Sequence, residues 1–123
     1  MSNILIVDDV APLAEQYAYD LKRIAGHDVS VATNGAEAVE RLRSEAIDCA
    51  ILDLEMPGMD GFEVLRALKH HGVETPVIVY TGTGNFDRCI EAVRLGAAGF
   101  IDKAEPMERV AQDVRDKSKG EIA

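Results

Sequence analysis

Three four-residue apolar runs, Ile4-Leu5-Ile6-Val7, Cys49-Ala50-Ile51-Leu52 and Val77-Ile78-Val79-Tyr80, constrain the fold more than any other feature. Each has strand length and is apolar on both faces of the pleat, so each must be covered from both sides. Segments of helical period lie between them. Pro12 can open a helix with Leu13, Tyr17, Leu21 and Ile24 at core spacing, and Gly26 can stop it. Val29 to Ala32 reads as a shorter strand. Asn34 can cap a helix that turns Ala38, Val39 and Leu42 inward. After Cys49–Leu52 and a Pro-Gly loop, a helix from about Gly61 places Phe62, Leu65 and Leu68 inward and ends near Gly72. Asn85 can cap the next helix, with Phe86, Ile90 and Val93 inward and Gly96 as its stop. Gly99-Phe100-Ile101 is the fifth strand, and Pro106 begins a last helix with Met107, Val110, Ala111 and Val114 on its buried stripe.

Strand and helix thus alternate five times, which calls for a parallel sheet between two helical layers with right-handed crossovers. The pattern suits a five-stranded parallel sheet of order 2-1-3-4-5, the flavodoxin-like (βα)5 three-layer sandwich. At 123 residues the chain is expected to be one domain, 1–123, without repeats, linkers or low-complexity segments. A net charge of −9 argues against a nucleic-acid-binding face. No apolar run approaches the ~18 residues of a membrane span, and no signal segment precedes the first strand, so a cytoplasmic location is expected. Cys49 and Cys89 read as small core residues of a reducing compartment.

In the order 2-1-3-4-5, ligands bind beyond the carboxyl ends of the strands, between strands 1 and 3. Asp8 and Asp9 end the first apolar run and Asp53 ends the third. A carboxylate is costly to desolvate at the end of a buried strand, and three together repel one another unless one protonates or a hard cation binds them. Mg²⁺ suits a few carboxylates completed by water and phosphate oxygens. Thr81 follows strand four and Lys103 follows strand five. Alone, each has an ordinary reading, a turn threonine and a solvated lysine. Together with the acids they suit a phosphoryl site, in which Asp53 can attack phosphorus while Lys103 and Thr81 can bind phosphoryl oxygens.

The segments Ile6-Val7-Asp8-Asp9, Leu52-Asp53-Leu54-Glu55-Met56-Pro57-Gly58-Met59-Asp60-Gly61, Tyr80-Thr81-Gly82 and Gly99-Phe100-Ile101-Asp102-Lys103 resemble the receiver domain of two-component response regulators, chemotaxis-regulator-like. The resemblance covers essentially the whole chain. It implies Asp53 as phosphoacceptor, Asp9 and Asp53 as direct Mg²⁺ ligands with the Glu55 backbone carbonyl, and Asp8 acting through a bound water. It further implies Thr81 as switch hydroxyl and Phe100 as switch aromatic. The donor would be a phosphohistidine on a histidine kinase or phosphotransfer protein. The output would be a downstream effector domain or protein, with a homodimer on phosphorylation as one assembly. Such a domain is not an enzyme in the ordinary sense, since its chemistry is its own phosphoryl transfer and autodephosphorylation. Most members follow the lysine with proline, whereas here Ala104 follows Lys103 and proline comes at Pro106, so this loop is expected to take its own path. Glu55 and Thr83 lie two positions beyond Asp53 and Thr81, beside the path of attacking water in this fold. The Glu55 carboxylate is expected to be free to swing over the phosphoryl group and alter its lifetime.

Other readings fit less well. Tyr80-Thr81-Gly82-Thr83-Gly84-Asn85 looks like an FMN phosphate loop, but it follows the fourth strand and the chain has no tryptophan to stack on a flavin. His70 and His71 are neighbours and do not share a helix face, so they read as an exposed helix end. An aspartate-nucleophile phosphatase would place its nucleophile after strand one. The alternative from a different class is a receiver-like interaction module that acts without phosphorylation.

Overall fold

The computed structural model describes residues 2–82 and 85–118. Strands β1 (Asn3–Val7), β2 (Asp28–Ala32), β3 (Cys49–Leu52), β4 (Val77–Thr81) and β5 (Gly99–Asp102) alternate with helices α1 (Ala11–Ala25), α2 (Gly35–Ser44), α3 (Gly61–His70), α4 (Phe86–Arg94) and α5 (Met107–Ser118). The strands form one parallel sheet of order β2-β1-β3-β4-β5, as the alternation predicts.

Period-2 alternation along the central strands sends side chains into two cores. Leu5, Val7, Leu52 and Val79 pack with Ala38 and Leu42 of α2 and Val64, Leu65 and Leu68 of α3. Ile4, Ile6, Ile51, Ile78 and Tyr80 point the other way, against Leu21 of α1 and Val110 and Val114 of α5. The capping signals hold. The Asn34 and Asn85 side chains accept from the N–H groups of Glu37 and Arg88, and Gly26 ends α1 in the left-handed conformation at φ 70°. Asp60 and Glu63 add a reciprocal capping box at the start of α3. His70 and His71 are exposed at the end of that helix.

α4 departs from expectation. Phe86 is 78% exposed, Ile90 36% and Val93 56%, and Ala92 is the residue this helix buries. Leu13 on α1 is exposed as well, while Tyr17, Ile24 and Phe62 are half-buried. A 3.6-residue period shows that apolar residues share a face. It does not show that the fold covers that face. Cys49 is buried, but Cys89 on α4 is half-buried rather than core, and neither forms a disulfide.

Register brings the strand ends together. Val7 pairs with Leu52, the Asp53 N–H donates to the Val7 carbonyl at 3.0 Å, and Thr81 pairs with Asp102. Gly61 lets α3 begin hard against this edge, since a Cβ there would lie 2.7 Å from the Asp53 carbonyl oxygen.

Candidate functional site

Asp8 and Asp53 extend the adjacent parallel strands β1 and β3 by one residue. That is why two acids far apart in the sequence sit side by side. Asp8 is 2% exposed and Asp53 7%, and Asp9 beside them is half-buried. Carboxylate oxygens of all three lie within 4.8 Å of one another. At ~4 Å and an effective dielectric near 20, each pair repels by about 4 kcal/mol. Backbone donors offset part of this. The Val10 N–H donates to Asp8 Oδ1 at 3.0 Å and the Glu55 N–H to Asp53 Oδ1 at 3.3 Å. Hard oxygen donors so arranged could hold a metal ion.

Lys103, from the end of β5, reaches across the sheet edge. Its Nζ lies 2.9 Å from Asp8 Oδ2 and 3.3 Å from Asp53 Oδ2. Burial works against the ammonium, but the hydrogen bond to Asp8 and the charges of Asp53 and Asp8 outweigh it. The Lys103 pKa is therefore raised. Thr81 is fully buried at the end of β4, and its carbonyl accepts the Lys103 N–H at 3.0 Å. Phe100, next but two before Lys103, is half-buried against the core that α2 and α3 cover. The sequence-predicted residues Asp8, Asp9, Asp53, Thr81 and Lys103 thus come from four strand ends to one edge. Thr83 lies outside the described residues.

Glu55 requires a correction. Its N–H serves Asp53, but its carboxylate is not free: Oε1 is paired with Arg88 Nη2 of α4 at 3.3 Å. The Arg88 guanidinium carbon also lies 5.2 Å from the centroid of the Phe62 ring on α3. Arg88 could not be found from spacing, because a long side chain bridging 33 positions leaves no periodic trace. Two further residues at the site were legible only as core. Tyr17 and Tyr80 pack edge to face, and Tyr17 lies under the Lys103 ammonium.

A (βα)5 sandwich whose carboxyl edge carries three acids and a lysine at the β1/β3 switch point belongs to the class of phosphorylation-based signalling domains. The sequence pattern of the response regulator receiver domain matches residues 4–115. The chain belongs to that family. It is 32% identical over 111 residues to the chemotaxis protein CheY of Bacillus subtilis, covering 90% of this chain and 92% of that protein. It is 33% identical over 105 residues to the luminescence regulatory protein LuxO of Vibrio campbellii, covering 85% of this chain. The match spans 23% of the length of that LuxO, and 49% of the transcriptional regulatory protein FixJ of Bradyrhizobium diazoefficiens, which is 30% identical over 101 residues and matches 82% of this chain. The crystal structure of FixJ-N superposes with a TM-score of 0.89 at 28% identity, covering 100% of this chain and 98% of that one. A CheY-like receiver from Methanospirillum hungatei superposes with a TM-score of 0.87, a likeness of fold at 23% identity over 99% of this chain and 97% of that one. Among the described residues no helix is long and apolar enough to cross a membrane.

Proposed function

We propose that this receiver domain is a phosphorylation-controlled switch that accepts a phosphoryl group on Asp53. The observation that carries the reading is the placement of the Asp53 carboxylate 3.3 Å from the Lys103 ammonium, inside a cluster of carboxylate oxygens no more than 4.8 Å apart. An Asp53 oxygen attacks phosphorus, the P–N bond of a donor phosphohistidine breaks, and the imidazole leaves with a proton from solvent. Asp9 and Asp53, with the Glu55 carbonyl, would hold Mg²⁺, and Asp8 would act through a bound water. When bound, the metal neutralises charge on the phosphoryl oxygens. Lys103 supplies a fixed positive charge to those oxygens, and the Thr81 hydroxyl donates to one of them. Water later hydrolyses the acyl phosphate and restores the carboxylate, so the domain's only chemistry is on itself.

The switch follows from the same contact. Thr81 drawn toward the phosphoryl group leaves space into which Phe100 turns, and the surface of α4 and β5 changes for a downstream effector. The donor is a histidine kinase or phosphotransfer protein in the cytoplasm. The reading that dispenses with phosphate leaves the full acid set, Thr81 and Lys103 without a role. The test is incubation with Mg²⁺ and acetyl phosphate or beryllofluoride, read by intact mass and NMR. Uptake by the wild type and none by Asp53→Ala is the expected result. Equal uptake by both would overturn the assignment.

A further inference from the structure

Two tyrosines approach Lys103 where the usual proline after it is missing. Tyr17, half-buried on α1, has its ring centroid 5.5 Å from Lys103 Nζ. Its ring meets that of Tyr80 edge to face, with centroids 5.4 Å apart and planes at 73°. Tyr80 is 4% exposed, stands immediately before Thr81 in β4, and donates its hydroxyl hydrogen to the Glu105 carbonyl at 3.2 Å. The loop leaving Lys103 is therefore tied to β4 through a side chain. Asp102 closes it from the other side, its Oδ1 accepting the Ala104 N–H at 2.7 Å and its carbonyl the Glu105 N–H at 2.9 Å.

The arrangement answers a specific need. A lysine has a flexible four-carbon stem, and its ammonium sweeps a wide volume unless neighbours restrict it. Asp8 and Asp53 attract it, but a cation bound among the acids would compete for the same oxygens and weaken their hold. The Tyr17 ring is uncharged, so its attraction to the ammonium survives that competition.

We propose that Tyr17 and Tyr80 are positioning residues for phosphoryl transfer: Tyr17 holds the Lys103 ammonium over its ring, and Tyr80 braces both that ring and the loop carrying Lys103. The inference rests on Asp53 being the phosphoacceptor, and two readouts separate it from that reading. The first needs no phosphoryl donor. Ring current from Tyr17 shifts the Lys103 Hε resonances upfield in the wild type and in Tyr17→Phe, and the shift disappears in Tyr17→Leu. The second is the acetyl phosphate-driven rate with saturating Mg²⁺. Tyr17→Leu should be slowed roughly two- to fivefold, with Tyr17→Phe near wild type and Mg²⁺ affinity by calorimetry unchanged in both. Tyr80→Phe keeps the ring contact and loses the loop tie, so it should retain part of the upfield shift and be slowed less than Tyr17→Leu. A wild-type Lys103 shift or a wild-type rate in Tyr17→Leu would overturn the proposal. If the wild type takes up no phosphoryl group, the Asp53 reading fails instead, and the Lys103 shift alone then decides where Tyr17 holds the lysine.

Discussion

Lys103 divides the three acids unequally. It bridges Asp8 and Asp53, whereas Asp9 shares the cluster without a described contact to the ammonium. Asp9→Asn therefore relieves repulsion and removes no attraction, and metal-free stability should rise by about 1 kcal/mol. Asp8→Asn removes the closer partner of a largely buried ion pair and should cost about 1–2 kcal/mol. Asp53→Asn relieves the same repulsion but removes the longer of the two lysine contacts, so its effect should fall between the two. Urea unfolding in the presence of a chelator checks the order, and Asp8→Asn at or above wild type would contradict it. The raised Lys103 pKa gives a second prediction. A group whose folded pKa lies above its unfolded value stabilises below the unfolded value and loses that effect as pH rises through the folded one. The stability difference between wild type and Lys103→Met should hold from neutrality to about pH 10.4 and shrink above it.

At the scale of elements, caps and strand ends were legible because they are local or set by register. Asn34, Asn85 and Gly26 act through their immediate neighbours, and Asp8 and Asp53 met because β1 and β3 pair in parallel. The outward face of α4 was not legible. Phe86, Ile90 and Val93 carry a core pattern that the packing of α4 leaves in solvent. Phe86→Ser or Ile90→Ser should change folding stability by less than ~0.5 kcal/mol, whereas Leu65→Ala should cost ~2–5 kcal/mol. A loss above ~2 kcal/mol for Phe86→Ser would show that the stripe is covered after all. The pairing of Glu55 with Arg88 likewise revises what Glu55 does. While Arg88 holds it, Glu55→Gln alone should alter phospho-Asp53 lifetime little. Arg88→Ala should free the carboxylate and change the dephosphorylation rate more than twofold, about 0.5 kcal/mol in barrier, and Arg88→Ala/Glu55→Gln should restore it. A double variant that matches Arg88→Ala would remove Glu55 from the account.

For the whole molecule, an ion held at the acid edge would couple its binding to folding. Mg²⁺ at tenfold its dissociation constant should stabilise the native state by about 1.4 kcal/mol through mass action, read as a rise in melting temperature that Asp53→Ala reduces. The burial of the five helices is uneven. α3 buries Gly61, Val64, Leu65 and Leu68, and α5 buries Met107, Val110, Ala111, Val114 and Ser118, but α4 buries Ala92. So thin an attachment makes α4 the cheapest helix to detach. It should exchange its amide protons through openings that leave the β1–β3 layer intact, and a dilute protease should nick the native chain there first. One chain can thus hold a closely packed acid edge and still shift a neighbouring helix for little free energy. An acyl phosphate contact of ~1.4 kcal/mol changes the ratio of two α4 arrangements tenfold.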